Sequence, residues 1–244
     1  MIKLKIFKLK VLCLSTLLLN ACSAGPRFAL WQLPPQTAFV EQSDHFRIQA
    51  SDGSACAQEA SQEGVIFYPG GLVHPAAYIP LAARLVSPCR TVLVAKMPLD
   101  LAVLNAEAAQ SLKQQYPSFA TWWIGGHSLG GAMAAKAAKT GEYAGLFLLA
   151  AYPAAADDLS MTSLPVLSIS ASNDGLATPT KIEQNKVYLP ANTRYYVVQG
   201  GNHAQFGDYG PQDKDGLATL SATAQQTETA QILLEFLDQP LKSR

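Results

Sequence analysis

Short runs of apolar residues alternate with segments of helical periodicity along most of the chain. Runs that are apolar throughout favour buried strands, whereas apolar positions spaced three and four apart favour helices. The predicted strands are 37–41, 45–50, 64–68, 91–96, 119–124, 146–150, 166–170 and 195–198. The predicted helices are 75–85, 102–115, 129–139, 179–186 (with Thr178 as its N-cap) and 225–237. Because strands and helices alternate from residue 64 onward, we expect an α/β domain with a mostly parallel sheet and helices on both faces.

The composition fits a single globular domain. The chain has 244 residues, of which 49% are hydrophobic and 15% are charged, and this is enough to bury a substantial core. It carries 18 basic and 18 acidic residues, but four of the lysines lie within the first ten residues. Without that segment the acidic residues outnumber the basic ones by four, and no basic cluster indicates a nucleic-acid partner.

Residues 1–21 have the pattern of a bacterial export signal. A lysine-rich start precedes an apolar stretch at 11–19, which is too short to cross a bilayer at about 20 residues per span. The following sequence, Leu19-Asn20-Ala21-Cys22, resembles a lipobox and predicts lipidation of Cys22, with a lipid anchor in a membrane. An ordinary signal peptide cleaved near Ala24 is the alternative.

This interpretation divides the chain into a signal peptide, a tether at 22–36 and a folded domain at 37–244. It predicts an exported protein at the periplasmic face of the outer membrane, because Ser23 after the cysteine resembles outer-membrane sorting. A soluble periplasmic or secreted protein is the alternative.

Two of the four cysteines remain for the folded domain. Cys13 leaves with the signal peptide and Cys22 belongs to the anchor, so Cys56 and Cys89 are left. An oxidising compartment permits disulfides, and each of the two residues precedes a predicted strand. If those strands are parallel neighbours, both cysteines lie at one edge of the sheet and can form a disulfide. Two unpaired cysteines are the alternative.

The segment around Ser128 carries the candidate chemistry. Gly126-x-Ser128-x-Gly130 lies between a predicted strand and a predicted helix. This is the setting of a nucleophile elbow, in which a serine sits on a sharp strand-to-helix turn. The glycines suit such a turn because a β-carbon two residues to either side of the serine would crowd the neighbouring backbone. The five-residue pattern is weak by itself, and the strand and helix around it give it meaning.

A serine nucleophile needs a base, and the base needs an acid that orients it. Asp174 and His203 each directly follow a predicted strand, in the order serine, aspartate, histidine. The carboxyl ends of parallel strands meet at one edge of a sheet, so we expect both residues near Ser128. Taken singly, they could be a turn aspartate and a loop histidine, and Asp157 and Asp158 are the fallback acids.

Three stretches of the sequence resemble the α/β-hydrolase superfamily: Gly-His-Ser-Leu-Gly-Gly at 126–131, Asn-Asp-Gly at 173–175, and the glycine- and histidine-containing stretch at 200–210. The resemblance covers residues 64–237 and is greatest to compact, lidless members of the dienelactone-hydrolase-like group. It implies a single-domain α/β-hydrolase fold with a minimal cap. Dienelactone hydrolases use a cysteine nucleophile where this chain has Ser128, and this departure favours a general serine esterase.

The resemblance also implies roles for individual residues. Ser128 would be the nucleophile, His203 the base and Asp174 the acid of a serine hydrolase that cleaves a carboxylic ester, thioester or lactone. The backbone N–H groups of Leu129 and Gly71 would form the oxyanion hole, although a proline stands in the Gly71 loop where relatives carry histidine. An acyltransferase or peptidase with the same triad, and a non-catalytic binding lipoprotein, are the alternatives.

Other candidate residues have weaker patterns. His127 precedes the serine and is expected to support the site rather than to react, while His74 and Tyr78 fit either a pocket mouth or packing. The cysteine and histidine spacings match no metal site, and no phosphate-binding glycine loop occurs, so we expect neither metal nor cofactor. A small-molecule ester is the expected substrate, and the sequence indicates no oligomeric state.

Overall fold

The computed structural model describes residues 24–27, 33–51, 56 and 62–239. At its centre is an eight-stranded sheet with the order β1-β2-β4-β3-β5-β6-β7-β8. The strands are β1 Thr37–Glu41, β2 His45–Ala50, β3 Glu63–Tyr68, β4 Arg90–Ala95, β5 Thr121–His127, β6 Gly145–Leu149, β7 Val166–Ala171 and β8 Arg194–Val198. Strands β3 to β8 are parallel, and β2 pairs antiparallel with both β1 and β4. The predicted mostly parallel sheet is confirmed.

Five α-helices in the described part of the chain pack against the two faces of this sheet. They are α1 Ile79–Ala83, α2 Ala108–Gln115, α3 Leu129–Thr140, α4 Pro179–Asn185 and α5 Ala222–Leu237. Successive residues of a strand point to opposite faces. In β3, Val65 and Phe67 belong to the apolar cluster that includes residues of α1, α4 and α5, whereas Ile66 and Tyr68 belong to the cluster that includes α2 and α3. Helices therefore cover both faces, as predicted.

The two cysteines of the domain lie together beside the amino ends of β3 and β4. Cys56 and Cys89 form a disulfide bond, with 4.6 Å between their Cα atoms. Cys89 directly precedes β4, and its carbonyl oxygen accepts a hydrogen bond of 2.7 Å from Glu63 N at the start of β3. The expected disulfide is confirmed. Closing a loop of 33 residues stabilises a fold by about 4 kcal/mol in the chain-entropy model.

Part of the predicted tether is bonded to the domain. Ala24 N donates a hydrogen bond of 2.9 Å to Leu72 O, and Ala24 O accepts one of 3.0 Å from His74 N. The chain thus lies beside the loop that follows β3. The predicted signal peptide, 1–21, and Cys22 lie outside the described residues, and no described helix has the length and apolar character needed to cross a bilayer.

Two of the predicted helices are interrupted. The first, 75–85, begins as a 3-10 turn and becomes α-helical only at α1, where Pro80 fits the first turn because its missing N–H would have no partner there. The second, 102–115, consists of a 3-10 turn at Ala102–Leu104 followed by α2. Asn105 separates the two, with φ −153° and ψ 60°.

A short connection links the carboxyl end of β6 to the amino end of β7. The connection from β6 to β7 contains a single 3-10 turn, Ala155–Asp157, and no α-helix. The minimal cap expected from the sequence is confirmed. Loops that follow β3, β5, β7 and β8 therefore form the rim on which the candidate residues lie.

Candidate active site

Ser128 lies on a sharp turn between β5 and α3. Strand β5 continues through His127, three residues beyond its predicted end, and α3 begins at Leu129. The serine has φ 52° and ψ −125°, which is a strained conformation for a residue with a side chain. A hydrogen bond of 2.9 Å from Ser128 N to Leu149 O, at the end of β6, holds the turn. The structure thus has the strand-to-helix turn predicted at this position.

The glycines on either side of Ser128 allow the backbone to pack closely. A β-carbon on Gly126 would lie 2.5 Å from Tyr68 O and 2.8 Å from the carbonyl carbon of Gly130. A β-carbon on Gly130 would overlap the backbone oxygen of Pro69. Both positions require glycine because backbone atoms, which cannot move aside easily, occupy the space of a side chain.

Asp174 and His203 form a buried pair on neighbouring loops. Asp174 follows β7 and His203 follows β8, and 2.8 Å separates the aspartate Oδ2 from the histidine Nδ1. The second carboxylate oxygen, Oδ1, accepts hydrogen bonds from the backbone N–H groups of Leu176 (2.8 Å) and Ala177 (2.7 Å). These bonds fix the orientation of the carboxylate, which holds the ring proton on Nδ1 and leaves Nε2 able to accept another.

Three weaker candidates have local structural roles. His74 Nδ1 accepts a hydrogen bond of 3.3 Å from Ala76 N and caps the turn that precedes α1. Asp157 ends the 3-10 turn between β6 and β7. The exposed Asp158 accepts a hydrogen bond of 2.8 Å from Ser160 N, and this bond lowers the pKa of its carboxyl group. Neither aspartate is bonded to His203 in the described part of the chain.

Ser128 and His203 lie at the same edge of the sheet, where the residue before the serine packs against the histidine. The ring of His127, the residue before the serine, packs against the ring of His203 with 4.5 Å between their centroids. Among the described residues, no hydrogen bond links Ser128 Oγ to the His203 ring. Bonds of this type often shorten only when substrate binds, so the arrangement remains compatible with proton transfer between the two side chains.

His127 belongs to a buried hydrogen-bonded network. Gly70 N donates to the Tyr78 hydroxyl at 3.0 Å, and the same hydroxyl lies 2.8 Å from His127 Nδ1. Because the tyrosine oxygen accepts from Gly70, its own proton is directed to Nδ1, which puts the histidine proton on Nε2. That nitrogen is buried and makes no hydrogen bond of standard geometry within the described residues.

This environment keeps both members of the network uncharged. Burial, and to a lesser extent the nearby His203, lowers the pKa of His127 well below its usual value of 6.5. Burial also raises the pKa of Tyr78. The network agrees with a supporting role for His127, and Tyr78 lies inside it rather than at a pocket mouth.

Two backbone N–H groups near Ser128 have no acceptor among the described residues. Leu129 is the first residue of α3, so its N–H has no partner within the helix. Gly71 lies beside it, since a β-carbon on Gly71 would be 3.0 Å from Leu129 Cδ2. In the part of the chain that the structure describes, Gly71 N donates no hydrogen bond, whereas Gly70 N is used by Tyr78. Two such donors can stabilise an anionic oxygen, which is the chemistry of an oxyanion hole.

Glutamine side chains at the start of α5 hold the loop that carries His203. Gln225 is fully buried; its Oε1 accepts from Asn202 N at 3.0 Å and its Nε2 donates to Asn202 O at 2.7 Å. Gln226 Nε2 donates to Gly207 O at 3.1 Å. Sequence reasoning missed these residues. The signal that could have found them is the presence of polar side chains on the helix face that packs against the core.

A cavity of about 480 Å³ lies behind the same loop. Its lining includes Asn202, Gln205 and Gln212 but neither Ser128 nor His203. The strained serine, the buried acid–base pair and the free N–H donors all lie elsewhere. We therefore place the candidate active site at Ser128 and not in this cavity.

Comparison with known proteins gives the family and its structural neighbours. Residues 64–227 match the Alpha/beta hydrolase family, while none of the curated proteins matches the chain. An alpha-beta serine hydrolase homologue from Coxiella burnetii is 14% identical, with 86% of this chain and 100% of that chain covered and a TM-score of 0.57. An esterase from Mycobacterium tuberculosis is 15% identical, with 84% of this chain and 92% of that chain covered and a TM-score of 0.58. A thermophilic esterase from Thermogutta terrifontis is 13% identical, with 84% of this chain and 93% of that chain covered and a TM-score of 0.54.

At these identities the solved structures establish the fold alone. The family match is the stronger result, because it spans more than half of the chain and includes Ser128, Asp174 and His203. The chain therefore belongs to the alpha/beta hydrolase family.

Proposed function

We propose that this protein is a serine hydrolase that cleaves a carboxylic ester, thioester or lactone through an acyl-enzyme on Ser128. His203 acts as the general base and Asp174 as the acid that orients it. Within the family, the short connection between β6 and β7 supports a compact, lidless type similar to the dienelactone-hydrolase-like group. Two of the structural neighbours described above are esterases, and this supports the same chemistry.

In the first half of the reaction, Ser128 Oγ attacks the carbonyl carbon while its proton passes to His203 Nε2. The carbonyl oxygen becomes an oxyanion, which accepts hydrogen bonds from the N–H groups of Gly71 and Leu129. When this intermediate collapses, the bond to the leaving group breaks and His203 returns the proton to the departing oxygen or sulfur. Ser128 is left acylated.

In the second half, water replaces the leaving group. His203 Nε2 takes a proton from water as its oxygen attacks the acyl carbon, and the same oxyanion donors stabilise the second intermediate. Collapse breaks the bond to Ser128 Oγ, which recovers its proton from His203. The products are a carboxylic acid and the regenerated enzyme.

The observation that carries the proposal is the buried pair of Asp174 and His203 beside a strained serine. A carboxylate that accepts two backbone N–H bonds and one imidazole N–H has its position fixed before substrate arrives. Such preorganisation lowers the barrier because no groups need to reorient during proton transfer. A binding protein on the same scaffold would gain nothing from it.

The proposal is tested by labelling with a fluorophosphonate probe and by hydrolysis of p-nitrophenyl acetate. We expect the wild type to be labelled, and Ser128→Ala to lose labelling together with at least about 10³-fold of kcat/KM, because the covalent step is removed. Ser118→Ala, which changes an exposed serine, is the matched control.

The outcomes separate the alternatives. An unlabelled wild-type protein would favour the binding lipoprotein. Labelling with rapid transfer to an added alcohol or amine, but slow hydrolysis, would favour an acyltransferase, and cleavage of a peptide substrate would favour a peptidase. Ser128→Ala with activity within tenfold of the wild type would refute the nucleophile assignment.

We also propose that the protein is exported and held at a membrane by a lipid on Cys22. The lysine-rich, apolar start of the chain supports export, and the Cys56–Cys89 disulfide suits an oxidising compartment. Ala24 is bonded beside Leu72, and two residues span at most about 7 Å. An anchor on Cys22 would thus hold the membrane near the loop that carries Gly71.

A further inference from the structure

The segment 211–221, between the His203 loop and α5, packs directly against the loop that carries Asp174. A β-carbon on Gly216 would overlap the carbonyl oxygen of Asn173, and one on Gly175 would overlap the carbonyl oxygen of Lys214. Lys214 itself has a left-handed φ of 64°. The contact is therefore between backbones, with glycine on both sides of it.

One carboxylate in this segment is bonded to both loops of the acid–base pair. Asp215 Oδ1 accepts hydrogen bonds of 3.1 Å from His203 N and 3.1 Å from Gly175 N. Its Oδ2 accepts one of 2.8 Å from Ala204 N. Asp215 thus joins the residue after Asp174 to the residue that supplies the base.

We propose that Asp215 is a positioning residue that fixes the distance between Asp174 and His203. This inference rests on the proposed function, in which those two side chains act together. Hydrogen bonds from N–H groups to an ionised carboxylate are roughly twice as strong as neutral ones. By holding both backbones from one point, Asp215 keeps the 2.8 Å contact between Asp174 Oδ2 and His203 Nδ1 against independent movement of the two loops.

The segment is itself held by side chains from the same two loops. Asn173 Nδ2 donates to Leu217 O at 2.9 Å, and Asn202 Nδ2 donates to Gly216 O at 2.8 Å. Each loop therefore both donates to the carboxylate and binds the backbone that carries it. This reciprocal bonding sets Asp215 apart from a surface aspartate that happens to meet an N–H group.

Asp215 acts through the pair and does not react itself. Its two oxygens are occupied by backbone donors, including its neighbour Gly216 N at 2.8 Å. The position of His203 matters because a displacement of about 1 Å at a catalytic group can lower the rate about 10²-fold. We therefore expect the effect of Asp215 to appear in kcat and not in substrate binding.

The experiment compares Asp215→Asn and Asp215→Ala with Asp213→Asn, which removes an exposed carboxylate two residues earlier in the same segment. With p-nitrophenyl acetate, we expect Asp215→Ala to lower kcat by about 10- to 100-fold with KM within about twofold. Asp215→Asn, which keeps one acceptor oxygen, should lie between Asp215→Ala and the wild type. Asp213→Asn should match the wild type.

A second measurement reports the pair directly. The proton on His203 Nδ1, bonded to Asp174, should give a downfield proton NMR resonance that His203→Ala removes. We expect the resonance to shift or broaden in Asp215→Asn and Asp215→Ala and to stay unchanged in Asp213→Asn. Because asparagine has nearly the same shape as aspartate, the resonance can still be measured in Asp215→Asn if Asp215→Ala does not fold.

Two results would overturn the inference. One is a kcat for Asp215→Ala within threefold of that for Asp213→Asn. The other is an unchanged resonance in both Asp215 variants. If the wild type hydrolysed no ester, the proposed function would fail, but the resonance would still decide whether Asp215 positions the pair.

Discussion

The loops on the two sides of Ser128 are held by different kinds of interaction. On the base side, the loop of His203 is bonded to the carboxylates of Asp174 and Asp215. On the oxyanion side, the loop of Gly70 is held by a Tyr78 hydroxyl that in turn bonds a buried neutral histidine. Carboxylates, together with the neutral glutamines of α5, hold one loop, and an uncharged buried pair contributes to holding the other.

The difference follows from what each side would do in the proposed reaction. The base gains a positive charge when it takes a proton, so a neighbouring carboxylate is favourable there. The oxyanion side must keep its two N–H donors in place while a negative charge forms on the substrate oxygen. His127 packs 4.5 Å from His203, and burial together with this neighbour lowers the pKa of His127. A neutral His127 leaves His203 as the one ring of the two that accepts a proton.

Substitutions on the base side should lower the rate of hydrolysis more than substitutions on the oxyanion side. We expect His203→Ala to lower kcat/KM for p-nitrophenyl acetate by at least about 10³-fold, as Ser128→Ala does, because proton transfer is lost. Asp174→Asn should be milder, since the aspartate orients the base and does not transfer the proton. Asp158→Asn is the control. If Asp158→Asn were the damaging variant and Asp174→Asn neutral, the acid would be wrongly assigned.

The oxyanion side should give a smaller effect. Tyr78→Phe removes the hydroxyl that Gly70 N and His127 Nδ1 share, so the loop that carries Gly71 loses its side-chain hydrogen bond and keeps only backbone bonds. We expect kcat to fall about 10- to 100-fold, less than the 10²- to 10³-fold typical of removing an oxyanion donor outright. KM should change little.

Stopped-flow acylation kinetics of Tyr78→Phe and Tyr209→Phe provide the comparison. Tyr209 packs beside Tyr78, but its hydroxyl donates to Gln212 and not to the Gly70 loop. Equal losses in the two variants would mean that general packing around the site, and not the bond to Gly70, explains the effect.

Much of the fold was predictable because local pattern and tertiary structure agree. Strands β1 and β2 have the predicted bounds, and Thr178 caps α4 through a bond of 3.3 Å from Lys181 N to its hydroxyl. The Cys56–Cys89 disulfide followed from two cysteines ahead of adjacent parallel strands. In the first two cases a few neighbouring residues determine the outcome, and in the third the pairing of two adjacent strands does.

Other features depend on contacts that are remote in sequence. The predicted strand 119–124 stops before two glycines, but Gly125 and Gly126 both lie within β5. A β-carbon on Gly125 would overlap the ring of Phe147 in β6, so the glycine is needed for strand packing and not for a turn. The role of Asp215 was equally hidden, because its segment has no periodicity that predicts its position and its partners are up to 40 residues away.

The smallest expected effect concerns the neutral histidine, and it is an effect on stability. The pKa of His127 in the folded protein lies well below 6.5, whereas in the unfolded chain it returns to about that value. Below pH 6.5 the unfolded chain therefore binds a proton that the folded one does not. The stabilisation is complete above pH 6.5 and is lost as the pH falls towards the folded-state pKa.

Urea unfolding at pH 7.5, 6.5 and 5.5 measures this contribution when the wild type is compared with His127→Gln. Between pH 6.5 and 5.5 we expect the wild type to lose about 1 kcal/mol more of its unfolding free energy than the variant, although the variant is less stable at every pH. Ser118→Ala, which changes an exposed serine, should keep the wild-type slope because it removes no titratable group. Parallel curves for the wild type and His127→Gln would mean that His127 can be protonated in the folded protein. The anchor on the oxyanion side could then carry a positive charge, and the contrast between a charged base side and an uncharged oxyanion side would not hold.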